Sequence, residues 1–228
     1  CDTHKFNGEV ADSCVQNYGG HVPNSAKFWD KTAEKYSKSP IKNMDAYNQT
    51  MDRAKAHLSN EDSVLEIGCG TGSTALLLAD SVKHITASDI SANMIEIAQS
   101  KANDQGIKNT SFVQADVFSD TLAPGSFDVI TAFNVLHLVE DFPAVVRRIN
   151  ALLKPGGLLI SKTPCLAAQT RLWSIPLYIL GKLRVVPYVN CLQFDKLEVT
   201  ISGGGFQLTE VGQYPASSMS RFLVATKV

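Results

Sequence analysis

Two rhythms of apolar and polar positions run along the chain, and the change from one to the other near residue 60 organises it. Before that point the spacing is helical. The stretch AKFWDKTAEKYS over 26–37 sets Phe28, Trp29 and Tyr36 in one helical register, and Met44, Tyr47, Met51, Ala54 and Leu58 share a side of a second helix over 44–58. After it, short apolar runs alternate with helical patterns. SVLEI (63–67), HITAS (84–88), SFVQ (111–114), FDVITAF (127–133) and residues 158–162 predict strands, with helices expected over 73–81, 92–103 and 142–153. The last helix repeats apolar groups at Phe142, Val145, Val146, Ile149, Leu152 and Leu153, and Pro155-Gly156-Gly157 is expected to end it. Strands alternating with helices of this length need crossover connections, which predicts a parallel sheet covered on both faces. The tail breaks the rhythm. Residues 206–211 and 221–226 both read as strands with no helical pattern between them, so an antiparallel pair is expected there, after a short helix near 194–202. The polar, glycine-containing residues 1–25 read as an arm, 26–228 as a single domain, and 166–190 as an insert.

Composition narrows the field. A chain of 228 residues, 44% of them hydrophobic, is long enough to bury one large core. Its 21 basic and 22 acidic side chains leave a formal charge of −1, which gathers neither nucleic acid nor an anionic membrane. Cys1, Cys14, Cys69, Cys165 and Cys191 are odd in number and show no ligand-like pairing, so free thiols are expected, with no metal site. The most apolar tract, LWSIPLYIL at 172–180, is far short of a membrane span. No basic region followed by an apolar run stands near Cys1, so a cytoplasmic protein without an integral membrane segment is expected.

Chemistry concentrates where the first strand meets the next helix, in Glu66-Ile67-Gly68-Cys69-Gly70-Thr71-Gly72. Glycines there let the backbone turn sharply and approach a ligand closely. The carboxyl end of a parallel strand is also where open α/β sheets bind ligands. Ser73 occupies the last glycine position of a dinucleotide fingerprint, and no lysine follows the glycines as in a P-loop. Asp89 follows the second strand at the distance where a carboxylate accepts both ribose hydroxyls, or serves as a helix N-terminal residue. Asp116 ends the third strand, placed to accept from an adenine amine, while Val117 and Met94 offer apolar faces or pack in the core. Glu66 is placed to receive an ammonium group.

As a set, this turn, Asp89-Ile90-Ser91 with Met94, Gln114-Ala115-Asp116 and Leu153-Lys154-Pro155-Gly156-Gly157 resembles the successive motifs of class I S-adenosylmethionine-dependent methyltransferases, closest to the small-molecule and quinone-biosynthesis type. The resemblance implies a Rossmann-like α/β fold: a seven-stranded, mostly parallel sheet, last strand antiparallel, with helices on both faces. It implies S-adenosylmethionine as cofactor and S-adenosylhomocysteine as product. By position, Gly68, Cys69, Gly70 and Gly72 would line the methionine portion with Glu66 supporting that end. Asp89 would hold the ribose, Ile90 and Met94 would flank adenine, and Asp116 with Val117 would address its edge. Tyr36 would close over the cofactor, and Phe133 and Asn134 would lie beside the sulfonium.

The acceptor side is read more coarsely. His137 follows the fourth strand and is the candidate general base, or else a support for its loop. The insert at 166–190 is the candidate acceptor cover, with Trp173 and Tyr178 for an apolar pocket and Arg171 for a polar end. The partner expected is a small-molecule acceptor, aromatic or lipid-like, with no nucleic acid, since no NPPY or DPPY motif follows the fourth strand. Assembly is expected to be monomer or homodimer. A nicotinamide-dependent oxidoreductase and a non-catalytic S-adenosylmethionine-binding protein are the rival readings.

Overall fold

The computed structural model describes residues 24–165 and 188–228. Helices α1 (Asn24–Ser37) and α2 (Met44–Lys55) precede the sheet. Then follow β1 (Ser63–Ile67), α3 (Ser73–Leu78), β2 (His84–Asp89), α4 (Ala92–Asp104), β3 (Thr110–Gln114), β4 (Phe127–Phe133), α5 (Phe142–Leu152), β5 (Leu153–Pro164), α6 (Phe194–Gly203), β6 (Phe206–Gly212) and β7 (Ser220–Lys227). The strands form one seven-stranded sheet in the order β3-β2-β1-β4-β5-β7-β6. From β3 to β5 all pairings are parallel, while β7 runs antiparallel to both β5 and β6. This is the doubly wound, Rossmann-like arrangement, with the final strand inserted in reverse.

Side-chain alternation along the strands feeds two cores. Leu65, Ile130 and Leu159 pack with α5 and α6 through Val146, Ile149, Leu197 and Ile201. Val64, Val129 and Ile160, each one residue away, pack on the opposite face with Met51 and Ala54 of α2 and Ala75 of α3. Strand order reverses between β1 and β4, and such a reversal opens a crevice at the strands' carboxyl ends. Helix starts are fixed by local chemistry: Asn43, Ser91 and Asp141 accept the backbone N–H three residues on, from Ala46, Met94 and Ala144. Arg53 of α2 donates twice to Glu210 of β6, at 2.6 and 2.7 Å, and the Tyr214 hydroxyl adds a third bond at 2.8 Å. These bonds tie α2 to the sheet's far edge and hold Glu210 at a pKa of about 2, mainly through Arg53.

Three elements differ from the sequence reading. Helix α5 ends at Leu152, and β5 starts one residue later instead of at 158, because buried Leu153 is already extended and pairs with Phe127. A residue before proline is pushed out of the helical region, and here Lys154-Pro155-Gly156-Gly157 forms a bulge opposite Asp128, which Lys154 grips with two 2.8 Å bonds. Helix α2 stops at Lys55, since the next turn is closed by tighter i→i+3 bonds from His57 and Leu58. Met44 is half exposed, so the packed side of α2 begins at Tyr47. Arg171, Trp173, Tyr178 and nearly all of the 166–190 cover lie outside the described residues, as does most of the 1–25 arm. Among the described residues no helix is long and apolar enough to cross a membrane.

Candidate functional site

The turn after β1 is held by its neighbours at every residue. Gly68, Gly70 and Gly72 all have positive φ. At Gly68 an added Cβ would stand 2.5 Å from Val135 Cγ2, and at Gly72 it would stand 2.7 Å from the Ala98 Cβ. At Gly70 the nearest heavy atom is Tyr36 Cε1, 3.7 Å away. Gly68 and Gly72 are therefore demanded by packing, whereas a Cβ at Gly70 would meet the Tyr36 ring only at ordinary contact distance. The Cys69 thiol is buried and its pKa is pushed far up by that burial, so Cys69 offers the site its backbone alone.

Asp89 ends β2 and clamps this turn. Its Oδ2 accepts the Gly70 N–H and its Oδ1 the Ser91 N–H, both at 2.9 Å. Ser91 caps α4, and Asp89 holds the N–H of that cap at the same helix start. The Ser91 hydroxyl also donates to Asp30 Oδ1 at 2.6 Å, and Asp30 accepts from the Asn93 N–H at 3.2 Å. Helix α1 is thus bolted through Asp30 to the same short segment that holds Asp89. One and a half turns along α1, Tyr36 sits over Gly70, with Trp29 edge-on to its ring at 6.4 Å.

Glu66 is the unusual group. It is 3% exposed, its Oε2 is sealed from solvent, and no described residue donates to it. Burial, with the Asp89 charge second, raises its pKa to about 8. Asp89 is raised too, by burial first and with Asp30 contributing, and Tyr36 feels both Asp89 and Glu66. Glu66 and Asp89 thus form a buried acidic pair near the carboxyl ends of β1 and β2, in which the Asp89 charge opposes ionisation of Glu66. Such a pair suits a cation.

Other expected residues fall around this centre. Asp116 is exposed after β3, with one oxygen accepting the Phe118 N–H at 2.7 Å. Ile90 is partly buried, whereas Met94 and Val117, at 2% and 6% exposure, serve the core. Phe133 is buried at the end of β4, and Asn134 follows in a left-handed turn (φ 56°), its N–H donating to the Lys162 carbonyl at 2.8 Å. His137 lies in the short turn Leu136–Leu138. Burial lowers its pKa to about 4, its Nδ1 has no partner among the described residues, and its carbonyl accepts the Asn190 N–H at 2.7 Å. The bond from Asn190 fits the loop-support reading of His137, and burial makes its imidazole a weaker base than usual.

Sequence reading missed Asp30, Tyr47, Thr131 and Lys162. Tyr47, read as a packing residue, reaches Thr74 at 3.5 Å, and the Glu66 charge acts on its hydroxyl. Thr131 pairs with Glu66 in the β1–β4 register and has a buried hydroxyl with no partner among the described residues. A polar residue inside an otherwise apolar strand, as in FDVITAF or LLISK, was the available signal.

A methyltransferase-domain family model matches residues 58–182, more than half of the chain. The demethylmenaquinone methyltransferase of Lactococcus lactis is 36% identical over 101 residues, covering 43% of this chain and 40% of that protein. The ubiquinone biosynthesis O-methyltransferase of Xanthomonas euvesicatoria is 33% identical over 100 residues, covering 44% and 42%. The chain thus spans about two fifths of the length of these curated relatives. Among solved structures, geranyl diphosphate C-methyltransferase of Streptomyces coelicolor, in complex with Mg2+, geranyl diphosphate and S-adenosylhomocysteine, superposes with a TM-score of 0.70 at 11% identity, over 89% of this chain and 96% of that one. At that identity the likeness speaks to the fold alone.

Proposed function

The chain belongs to the methyltransferase-domain family, and on that footing we propose that it transfers a methyl group from S-adenosylmethionine to a small aromatic or lipid-like acceptor. One observation carries the reading: the Glu66 carboxyl group is buried with no partner among the described residues, beside a second carboxyl group and two residues before a glycine turn. The amino-acid end of S-adenosylmethionine carries an ammonium that would pair with it.

Glu66 would receive that ammonium, and the backbone of Gly68, Cys69, Gly70 and Gly72 would line the methionine portion. Asp89, fixed by the Gly70 and Ser91 N–H groups, keeps free lone pairs for the ribose hydroxyls. Ile90 would flank adenine and Asp116 would meet its edge, with Met94 and Val117 supporting from below. Tyr36, already over Gly70, would cover the cofactor, and Phe133 and Asn134 would border the transferred group. When bound, the sulfonium supplies a methyl group already activated for in-line displacement. The chain's task is then alignment and exclusion of water. An oxidoreductase is disfavoured, because Ser73 stands where a dinucleotide fingerprint has its last glycine and a diphosphate on the turn would lie near Glu66.

The acceptor class is supported by the names of the two curated relatives, which are quinone-pathway methyltransferases. A small-molecule acceptor, a cytoplasmic setting and one methyltransferase domain over 26–228 belong to the same proposal. The test is chromatographic detection of S-adenosylhomocysteine after incubation with S-adenosylmethionine and a panel of phenols, hydroquinones and prenylated analogues. Product above the acceptor-free background for at least one of them is expected. Binding of the cofactor with no product from any of them would favour a non-catalytic binder.

A further inference from the structure

Register places four residues on one face of the sheet at its carboxyl end. Glu66 pairs with Thr131, and two residues further along, Phe133 pairs with Lys162. Lys162 therefore lies two strands across from Glu66, beyond β4 and on the same face, where an acceptor would have to meet the transferred group. Its side chain is half-buried, and its ammonium donates to Thr50 Oγ1 of α2 at 2.8 Å. Thr50 is itself 1% exposed and donates onward to the Ala46 carbonyl at 2.7 Å. No carboxylate lies within ion-pair distance of Lys162 among the described residues. Its carbonyl holds the Asn134 N–H, so the lysine and the turn after β4 move as one piece.

Half-burying a lysine on the one hydroxyl contact it makes among the described residues is costly unless an anion completes the shell. Lys154, at the other end of the same strand, has Asp128 for that purpose. We propose that Lys162 is the specificity-determining cation of the acceptor pocket, receiving the acidic oxygen of a phenol- or enol-type acceptor and holding it as the anion. The acceptor's O–H bond breaks, the proton passes to bulk water, and the electron pair left on oxygen is the one that methyl transfer consumes. The inference rests on the methyl-transfer reading above. It also explains how a site whose histidine is so weak a base presents an ionised acceptor. Burial lowers the pKa of Lys162.

The probe is 4-nitrophenol, whose anion is yellow, titrated from acid to alkaline pH with the protein saturated in S-adenosylhomocysteine. Wild type is expected to bind it and to lower its apparent pKa by about one unit, the scale of a nearby opposite charge. Lys162→Met should weaken binding about tenfold and abolish the shift, with S-adenosylhomocysteine affinity unchanged. If that variant does not fold, as read from its thermal melt, Lys162→Gln serves the same purpose. The inference is overturned if either variant binds and ionises 4-nitrophenol as wild type does, or if wild type binds S-adenosylhomocysteine but not the phenol. Failure of wild type to bind S-adenosylhomocysteine overturns the methyl-transfer reading instead.

Discussion

Glu66 takes up a proton when the ligand-free chain folds, because its pKa rises from an ordinary 4.5 to about 8. Stability from that proton is fully present below pH 4.5 and is lost as pH climbs through 8, where a buried, unpartnered anion must be carried. Glu66→Gln should therefore leave urea stability unchanged near pH 4.5 and raise it by on the order of 4 kcal/mol at pH 8.5. Equal stability of the two proteins at pH 8.5 would count against the buried anion. The glycines separate in a similar way. Gly68→Ala drives a methyl group into Val135 and should cost about 2 kcal/mol or more, whereas Gly70→Ala carries only backbone strain of about 1 kcal/mol and should chiefly weaken cofactor binding beneath Tyr36. Denaturant melts with parallel S-adenosylhomocysteine titrations would tell the two positions apart. At this scale the acidic residues were legible, since Glu66, Asp89 and Asp116 each end an evident strand. Lys162 and Thr131 were not, because their meaning depends on which strand lies alongside. The capping of α4 by Ser91 and the clamp of Asp89 on Gly70 likewise join residues that spacing alone does not connect.

Between elements, the decisive contact is Asp30 of α1 on Ser91 and Asn93 at the start of α4. It couples the helix that carries Tyr36 to the segment that fixes Asp89. Asp30→Ala should raise hydrogen exchange throughout α1 while leaving β1, β4 and β5 protected, and should weaken S-adenosylhomocysteine binding about fivefold, the loss of roughly one hydrogen bond's worth of net stabilisation. Unchanged exchange in α1 would show that its apolar face, not Asp30, holds it. The helical register of Phe28, Trp29 and Tyr36 was readable from spacing, but the partner of α1 was not, since docking onto α4 joins segments about sixty residues apart. The bulge at Lys154-Pro155-Gly156-Gly157 was read as a helix stop. The glycines and proline there interrupt pairing with β4 without interrupting the strand.

For the molecule as a whole, the alternation of two-residue and helical periods was enough to reach a parallel sheet covered on both faces and an antiparallel pair at the tail, because each period reports which faces are buried. One seven-stranded sheet with a reversed last strand was what the family resemblance implied, and the structure has it. A formal charge of −1 conceals the buried acidic pair Glu66 and Asp89 near the carboxyl ends of β1 and β2. That pair is the centre of the proposed site, and a calorimetric titration of the chain tests it most directly. S-adenosylhomocysteine is predicted to bind at one site near pH 7 with proton release, as its ammonium ionises Glu66. Proton release would appear as a binding enthalpy that changes with the buffer's ionisation enthalpy, and Glu66→Gln should lose it. NADH should not bind. Binding of NADH in preference to S-adenosylhomocysteine, or binding of S-adenosylhomocysteine with the same heat in every buffer, would contradict the account.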